Sequence, residues 1–149
     1  IAVRAIKQLP LRKSVGDWVF GFDVCSEVCP FGNKEPDRGG DWGLLPVFAE
    51  LRLEDLLTIS EQDFHELFTG SPLRRTGWAG LLRNTCVALG NLQRGSNELK
   101  GAIYHPEAMV RRHAAWALGE IGELQTLRQV QETEVDPKVL EEVEIAIRS

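Results

Sequence analysis

The sequence predicts an all-α protein in which pairs of helices are stacked as repeats. Three observations support this fold class. Apolar residues recur at helical spacing nearly throughout residues 46–149. Residues 83–90 and 112–119 align at an offset of 29 residues and share the pattern R-x-x-x-x-A-L-G. Glycine or proline stands at several of the predicted helix boundaries.

The offset of 29 residues continues to the end of the chain, where a third copy aligns with the first two. Four columns of the alignment are Leu81, Val110, Val139; Thr85, Ala114, Val143; Ala88, Ala117, Ala146; and Leu89, Leu118, Ile147. A single helix pair of this length cannot bury its apolar face alone, so successive pairs stack. We therefore predict a HEAT-like α-solenoid over residues 46–149.

The first helical elements have recognisable sequence signals. Four leucines between residues 51 and 57 lie on one side of a helical wheel and predict a helix. Ser60 and Asp63 have the spacing of a capping box, which begins a second helix. Phe64 opens its apolar stripe, and Gly70 ends it.

Later elements are marked by prolines. Pro72, Pro106 and Pro137 are each predicted at the first position of a helix, where a missing N–H has no cost. Shorter partner helices are predicted at roughly 97–104 and 124–132, between the aligned copies.

The charge of the chain is unevenly distributed. The 149 residues have a formal net charge of −5, which by itself argues against a strong nucleic-acid binder. Residues 72–118, however, carry 7 basic and 2 acidic side chains, whereas residues 1–71 and 119–149 each sum to −5. This basic middle region is either a surface that faces an anion or a solvated face on which the arginines form local ion pairs.

Composition excludes several other classes. With 43% apolar and 26% charged residues, the chain is of the globular type rather than collagen-like or disordered. Its sequence has no apolar run that approaches a membrane span and no visible secretory signal. Three cysteines, an odd number, fit a cytoplasmic protein better than a disulfide framework. Because the chain begins at Ile1, we expect it to be a piece of a longer protein.

Residues 25–30 have the pattern C-x3-C-P, with Cys25 and Cys29 as the cysteines. Bacterial ferredoxins bind cubane clusters with C-x2-C-x2-C-x3-C-P. The two earlier cysteine positions of that motif hold Val19 and Phe22 here. The remaining cysteine, Cys86, lies in an apolar helix and is predicted to be a small core residue. The motif alone leaves two interpretations open: metal ligands, or two small apolar residues on one helix face.

Residues 21–31 resemble the second iron–sulfur motif of the epoxyqueuosine reductase family, G-C-D-x-C-x-x-V-C-P-W/F. Other segments that resemble this family are 9–12, 16–21, 68–75 (FTGSPLRR), 80–84, 88–91, 105–106 and 110–119. The combination of the cysteine motif with F-x-G-S-x-L-R-R and a helical-repeat tail is more specific than the cysteine motif alone.

The resemblance implies an oxidoreductase that reduces epoxyqueuosine to queuosine in the anticodon loop of tRNA in the cytoplasm. It implies [4Fe-4S] clusters and cobalamin as cofactors of the parent protein. The cobalamin-binding domain, the catalytic acid and the remaining cluster ligands would lie in domains upstream of Ile1. Residues 1–45 would then be the end of a ferredoxin-like domain plus a linker, and residues 46–149 the repeat domain.

Phe22 departs from the family pattern, which has a cysteine at this position. By the resemblance, Cys25 would serve the cluster that loses this ligand, and Cys29 the other cluster. A three-iron cluster, a substitute ligand or a degenerate homologue would each accommodate the loss. We expect the fragment itself to hold no intact cluster, no cobalamin and no catalytic residue.

In the resembled family the repeats help to hold the tRNA, and arginine forks match phosphate oxygens. The candidate tRNA-binding residues are Arg74, Arg75, Arg83, Arg111 and Arg112. Arg83 and Arg112 share a repeat column, and a structural role for both is the alternative.

Other side chains near this set have plainer interpretations. Trp116 is predicted to be core, and His113 to be a surface or cap residue rather than a catalyst. Trp78 could stack on a base, although a core position is more usual for tryptophan in a helical repeat. The alternative function for the whole chain is a HEAT-like scaffold that binds a protein partner and has no chemistry of its own.

Overall fold

The computed structural model describes residues 9–20 and 51–149, with the side chains of Leu9 and Pro10 excepted. Its regular elements are helices. The seven α-helices of these residues are α1 (Leu9–Ser14), α2 (Glu61–Leu67), α3 (Trp78–Leu92), α4 (Ser96–Ala102), α5 (Ala108–Ile121), α6 (Leu124–Thr133) and α7 (Pro137–Arg148). Two 3-10 helices cover Glu54–Leu57 and Pro72–Thr76. The predicted domain boundary at residues 45 and 46 lies outside the described residues.

Helices α3, α5 and α7 pack side by side in chain order, and α4 and α6 pack against them. The main apolar core fills the space between these five helices. A smaller core of Phe64, Phe68 and Leu81 joins α2 to the start of α3. The all-α prediction is confirmed for the described residues.

The offset of 29 residues has a physical basis in glycines that allow close helix contact. A Cβ atom added to Gly90 would lie 3.0 Å from Cα of Ala117, and one added to Gly119 would lie 2.7 Å from Cβ of Ala146. In each case a glycine near the end of one helix contacts an alanine of the next. The same contact is therefore made twice, one repeat apart, as the sequence alignment predicts.

The ends of α3 and α5 also repeat. The N–H groups of Gln93 and Arg94 donate to the carbonyls of Gly90 and Leu89. One repeat later, the N–H groups of Gly122 and Glu123 donate to the carbonyls of Gly119 and Leu118. Both caps need a left-handed residue, supplied by Gly122 at φ 87° and by Gln93 at φ 52°.

The predicted capping box and the predicted place of Pro137 at the start of a helix are confirmed. The Ser60 side chain accepts a hydrogen bond from the Asp63 N–H, and the Asp63 carboxylate accepts one in return, which completes a capping box. Asp136 caps α7, and Pro137 occupies its first turn.

The prediction for Pro106 is wrong, because α5 begins only at Ala108. The Glu107 N–H donates to Nδ1 of His105 at 3.0 Å. The Arg111 guanidinium donates to the carbonyl oxygens of His105 and Pro106 at 2.9 and 2.8 Å. These bonds hold residues 105–107 in a turn, so the helix starts after them.

Where the sequence predicts an α-helix over residues 51–57, only Glu54–Leu57 are helical, and they form a 3-10 helix. Leu53 and Leu57 pack on the main core, whereas Leu56 packs on the smaller core. Because the leucines serve two cores, a single apolar stripe is not needed. Pro72 likewise begins a 3-10 helix, capped by the Ser71 side chain.

Candidate nucleic-acid interface

Two of the five predicted arginines, Arg74 and Arg75, have exposed side chains. Both lie on the 3-10 helix Pro72–Thr76, between α2 and α3. Nη2 of Arg74 is 3.5 Å from Nδ1 of His65 on α2. The Ser71 hydroxyl accepts from the Leu73 N–H and the Thr76 hydroxyl donates to the Leu73 carbonyl, so both bonds lie within this short segment. Leu73 packs against the smaller core, and the two guanidinium groups are presented to solvent.

Arg111 makes structural contacts. Its Nε donates to Glu134 Oε2 at 2.7 Å and its Nη2 to Glu134 Oε1 at 3.0 Å. The same guanidinium holds the turn before α5, so it ties that turn to the loop between α6 and α7. The pKa of the Glu134 carboxyl is below its usual value, mainly because of the hydrogen bond from Arg111.

Arg112 also has a carboxylate partner. Its Nε donates to Oε2 of Glu142, a fully buried residue of α7, at 2.9 Å. Arg12 of α1 donates to both oxygens of the same carboxylate, at 2.5 and 3.1 Å. The Arg12 side chain is itself buried, and its guanidinium carbon lies 5.4 Å from the ring centroid of Trp116.

Arg83 is buried inside the protein, with 2% of its surface exposed. Its Nε and Nη2 donate to Oδ1 of Asn84 at 3.1 and 2.9 Å. Burial lowers the pKa of its guanidinium. The alternative of a structural role for Arg83 and Arg112 is supported, because the Asn84 amide oxygen and the Glu142 carboxylate accept hydrogen bonds from them. The tRNA-binding role of all five arginines stays a prediction. Among the five, Arg74 and Arg75 are the exposed residues.

His113 is fully buried, so the prediction of a surface or cap residue is wrong. Its Nδ1 is 2.8 Å from the carbonyl oxygen of Met109, which places the proton of the neutral ring on Nδ1. Burial, together with the positive charges of Arg12, Arg83 and Arg112, lowers its pKa to about 3. At neutral pH this enclosed imidazole is therefore uncharged, and its Nδ1 proton is engaged by the Met109 carbonyl.

The tryptophans serve the fold. Trp116 is 6% exposed and belongs to the main core, as predicted. The Trp78 indole N–H donates to the carbonyl of Ile59 at 3.0 Å, and its ring lies 4.8 Å from that of His105. Trp78 therefore lies between the segment before α2 and the turn before α5 rather than standing free for a base.

Sequence reasoning missed a column of buried polar residues. Asn84, His113 and Glu142 lie one repeat apart, and each is at most 1% exposed. The signal was present in the alignment, because this column is polar in all three copies. Two of its members contact residues 9–20, since Glu142 binds Arg12 and the Asn84 amide donates to the carbonyl of Val19 at 2.7 Å.

Cysteine chemistry is absent from the described part of the chain. Residues 9–20 and 51–149 contain no group of three or more histidine, cysteine or acidic side chains arranged to hold a metal. Cys86 is a buried core residue, as predicted, and burial raises its pKa to about 12. Phe22, Cys25 and Cys29 lie outside the described residues. None of the described helices is both long and apolar enough to cross a membrane.

Comparison with known proteins identifies close relatives. The chain is 38% identical over 119 residues to the epoxyqueuosine reductase of Pseudomonas aeruginosa, and 32% identical over 146 residues to that of Bacillus cereus. These alignments cover 77% and 89% of this chain, and 33% and 37% of the relatives. The chain belongs to the epoxyqueuosine reductase family. No protein-family model matches it.

Solved structures of epoxyqueuosine reductases agree with this membership. The enzyme from Bacillus subtilis superposes with a TM-score of 0.87 at 26% identity, covering 99% of this chain and 41% of that one. An epoxyqueuosine reductase crystallised with an epoxyqueuosine-modified tRNA-Tyr stem loop superposes with a TM-score of 0.82 at 27% identity, with the same coverage. The chain thus spans about a third of the length of its curated relatives.

Proposed function

We propose that this chain is the repeat-bearing part of an epoxyqueuosine reductase that reduces epoxyqueuosine to queuosine in tRNA. The observation that supports this most is the similarity of 99% of the chain to a reductase that carries a modified tRNA stem loop. The stacked helices α3 to α7 act as a HEAT-like platform in this proposal. Reduction takes place on upstream domains, in the cytoplasm, with [4Fe-4S] clusters and cobalamin as cofactors.

Within this chain, we assign contact with the tRNA phosphates to Arg74 and Arg75. Both side chains are exposed, and the 3-10 helix that carries them packs against the smaller core through Leu73. Arginine forks bind phosphate through two parallel hydrogen bonds, and each contact releases counterions from the RNA. Arg83, Arg111 and Arg112 are left out of this assignment, since their guanidinium groups are engaged with protein atoms.

Binding of a tRNA anticodon stem-loop tests the assignment. Arg75→Glu is expected to weaken binding strongly and to reduce the slope of log K against log salt by about 1. Arg128→Glu is the matched control, because it makes the same charge change at an exposed position of α6 outside the predicted set. Equal losses in both variants would mean a nonspecific charge effect. Binding that ignores both variants and salt would favour the protein-binding scaffold.

The iron–sulfur part of the proposal concerns Cys25 and Cys29. They would supply two thiolates to the centres of the parent protein, and Phe22 would leave one centre a cysteine short. Iron and sulfide content of the anaerobically reconstituted parent measures this. Cys29→Ser is expected to lower both, with Cys86→Ser as a control that changes neither. Equal metal content in all three proteins would remove Cys29 from the ligand set.

A further inference from the structure

The segment 9–20 is held on the repeats chiefly by polar contacts. Arg12 reaches across 130 residues of sequence to Glu142, and both side chains are buried. The Arg112 side chain binds the same carboxylate, so the last helix and the middle helix of the stack both secure Arg12. If the segment moved away from this position, the buried Glu142 or Arg12 would be left as an uncompensated charge. The ion pair therefore favours one position of the segment strongly.

The backbone of the segment is also held by side chains of α3. The Asn91 amide donates to the carbonyls of Arg12 at 2.9 Å and of Gly16 at 2.6 Å. Further along, the Asn84 amide donates to the carbonyl of Val19. Three backbone carbonyls of the segment thus accept hydrogen bonds from two asparagine amides. These bonds fix the position of the segment along α3.

Apolar contact is made at the end of the segment, where Val19 packs against the smaller core. Earlier in the segment, Leu11 is 54% exposed and Val15 is only partly buried. Hydrophobic contact is non-directional, whereas amide and guanidinium contacts are directional. The attachment therefore determines a single position of the segment rather than a sliding one.

We propose that Arg12, Asn91 and Glu142 form a latch that holds the segment 9–20 against the repeats and thereby positions the chain that continues from it. This inference rests on the proposed function for its catalytic consequence. Cys25 follows the latched segment by five residues, whereas Arg74 and Arg75 lie on a separate element. Asn91 and Glu142 are positioning residues, and the latch keeps the docking surface and the reducing part of the protein in a constant relation.

Hydrogen exchange tests the latch directly. The N–H groups of Val15 and Gly16 donate to carbonyls within the segment and report its opening. Asn91→Ala is expected to speed their exchange about tenfold, while the middle of α5 keeps its wild-type rates. Asn97→Ala, at an exposed position of α4, is the matched control and should change neither. Unchanged exchange at Val15 and Gly16, or an equal rise throughout α5, would overturn the latch.

Steady-state kinetics of the full-length parent test the positioning role. Glu142→Gln and Asn91→Ala are expected to lower kcat while leaving KM for tRNA unchanged, whereas Arg75→Glu raises KM. Glu144→Gln on the exposed side of α7 is the control for the first variant. If Asn91→Ala raises KM as Arg75→Glu does, or leaves kcat unchanged, the positioning role is refuted. If the parent reduces no epoxyqueuosine at all, the proposed function fails, and the exchange result still decides for or against the latch.

Discussion

His113 shows how a neighbourhood decides the chemistry of a residue. Its ring is enclosed, one nitrogen is close to the Met109 carbonyl, and three guanidinium groups surround it. Its other nitrogen, Nε2, is one of three buried side-chain nitrogens without a hydrogen-bond partner among residues 9–20 and 51–149. Protonation would bury a fourth positive charge, which is why its pKa falls to about 3.

This pKa makes stability depend on pH. The unfolded chain binds a proton at His113 near the ordinary pKa of 6.5, and the folded chain does so only near 3. Stability from this residue is therefore complete above pH 6.5 and is lost as the pH falls towards 3. Between pH 6.5 and 4 the loss should be roughly 3 kcal/mol in the free energy of unfolding.

Urea unfolding at a series of pH values measures this loss. His113→Met lacks the titrating group, so its free energy of unfolding should fall less over the same range. Parallel curves for the two proteins would show that His113 does not titrate in this way.

Among the elements, the contacts of α5 with α7 depend on the absence of a side chain. Gly119 has no Cβ, and this allows Ala146 to pack closely against it. A methyl group added to Gly119 would lie 2.7 Å from the Cβ and 3.2 Å from the Cα of Ala146. Because one of these atoms is backbone, the clash is relieved only if a helix moves. Gly90 makes the same kind of contact with Ala117 one repeat earlier, so a repeated glycine sets the spacing of the stack.

Two glycine-to-alanine variants should have opposite effects. Gly119→Ala is expected to lower the free energy of unfolding by about 2 kcal/mol through overpacking. Gly101→Ala in α4 has no atom within 4 Å of the new methyl group, and should raise stability by roughly 0.5–1 kcal/mol. Chemical denaturation of both proteins provides the measurement. A stabilising effect at both positions would mean that the stack spreads at little cost.

On the scale of the whole molecule, polar side chains join elements that are far apart in sequence. Arg111 connects the turn before α5 to Glu134 in the loop before α7. Arg94 binds Glu54 through two hydrogen bonds, at 2.7 and 3.0 Å, and so joins the first 3-10 helix to the end of α3. Several arginines of the basic middle region therefore form ion pairs within the protein.

Arg111 provides a test that separates structural from RNA contacts. Arg111→Gln is expected to lower the free energy of unfolding by about 1–3 kcal/mol, because charged hydrogen bonds to Glu134 are lost. The salt dependence of tRNA binding should stay that of the unchanged protein. A reduced salt slope with full stability would instead place Arg111 on the RNA.

Sequence reasoning succeeded where an effect is local or repeated. The capping box at Ser60, the place of Pro137 in the first turn of α7 and the core position of Trp116 follow from short-range chemistry, and the 29-residue offset follows from stacking. It failed at Pro106, because a distant Arg111 contact and a histidine-held turn delay the helix. It also failed at His113, whose burial depends on what covers α5.

The amino-acid order therefore specifies the helices, their repeat spacing and the family resemblance, since periodicity and motifs are properties of neighbouring residues. The fate of each charged side chain is different. Whether Arg12, Arg83 or Arg112 meets water or a partner depends on which elements the fold brings beside it. A polar residue is buried only where a partner from another part of the chain compensates the loss of water, and that pairing exists only in three dimensions.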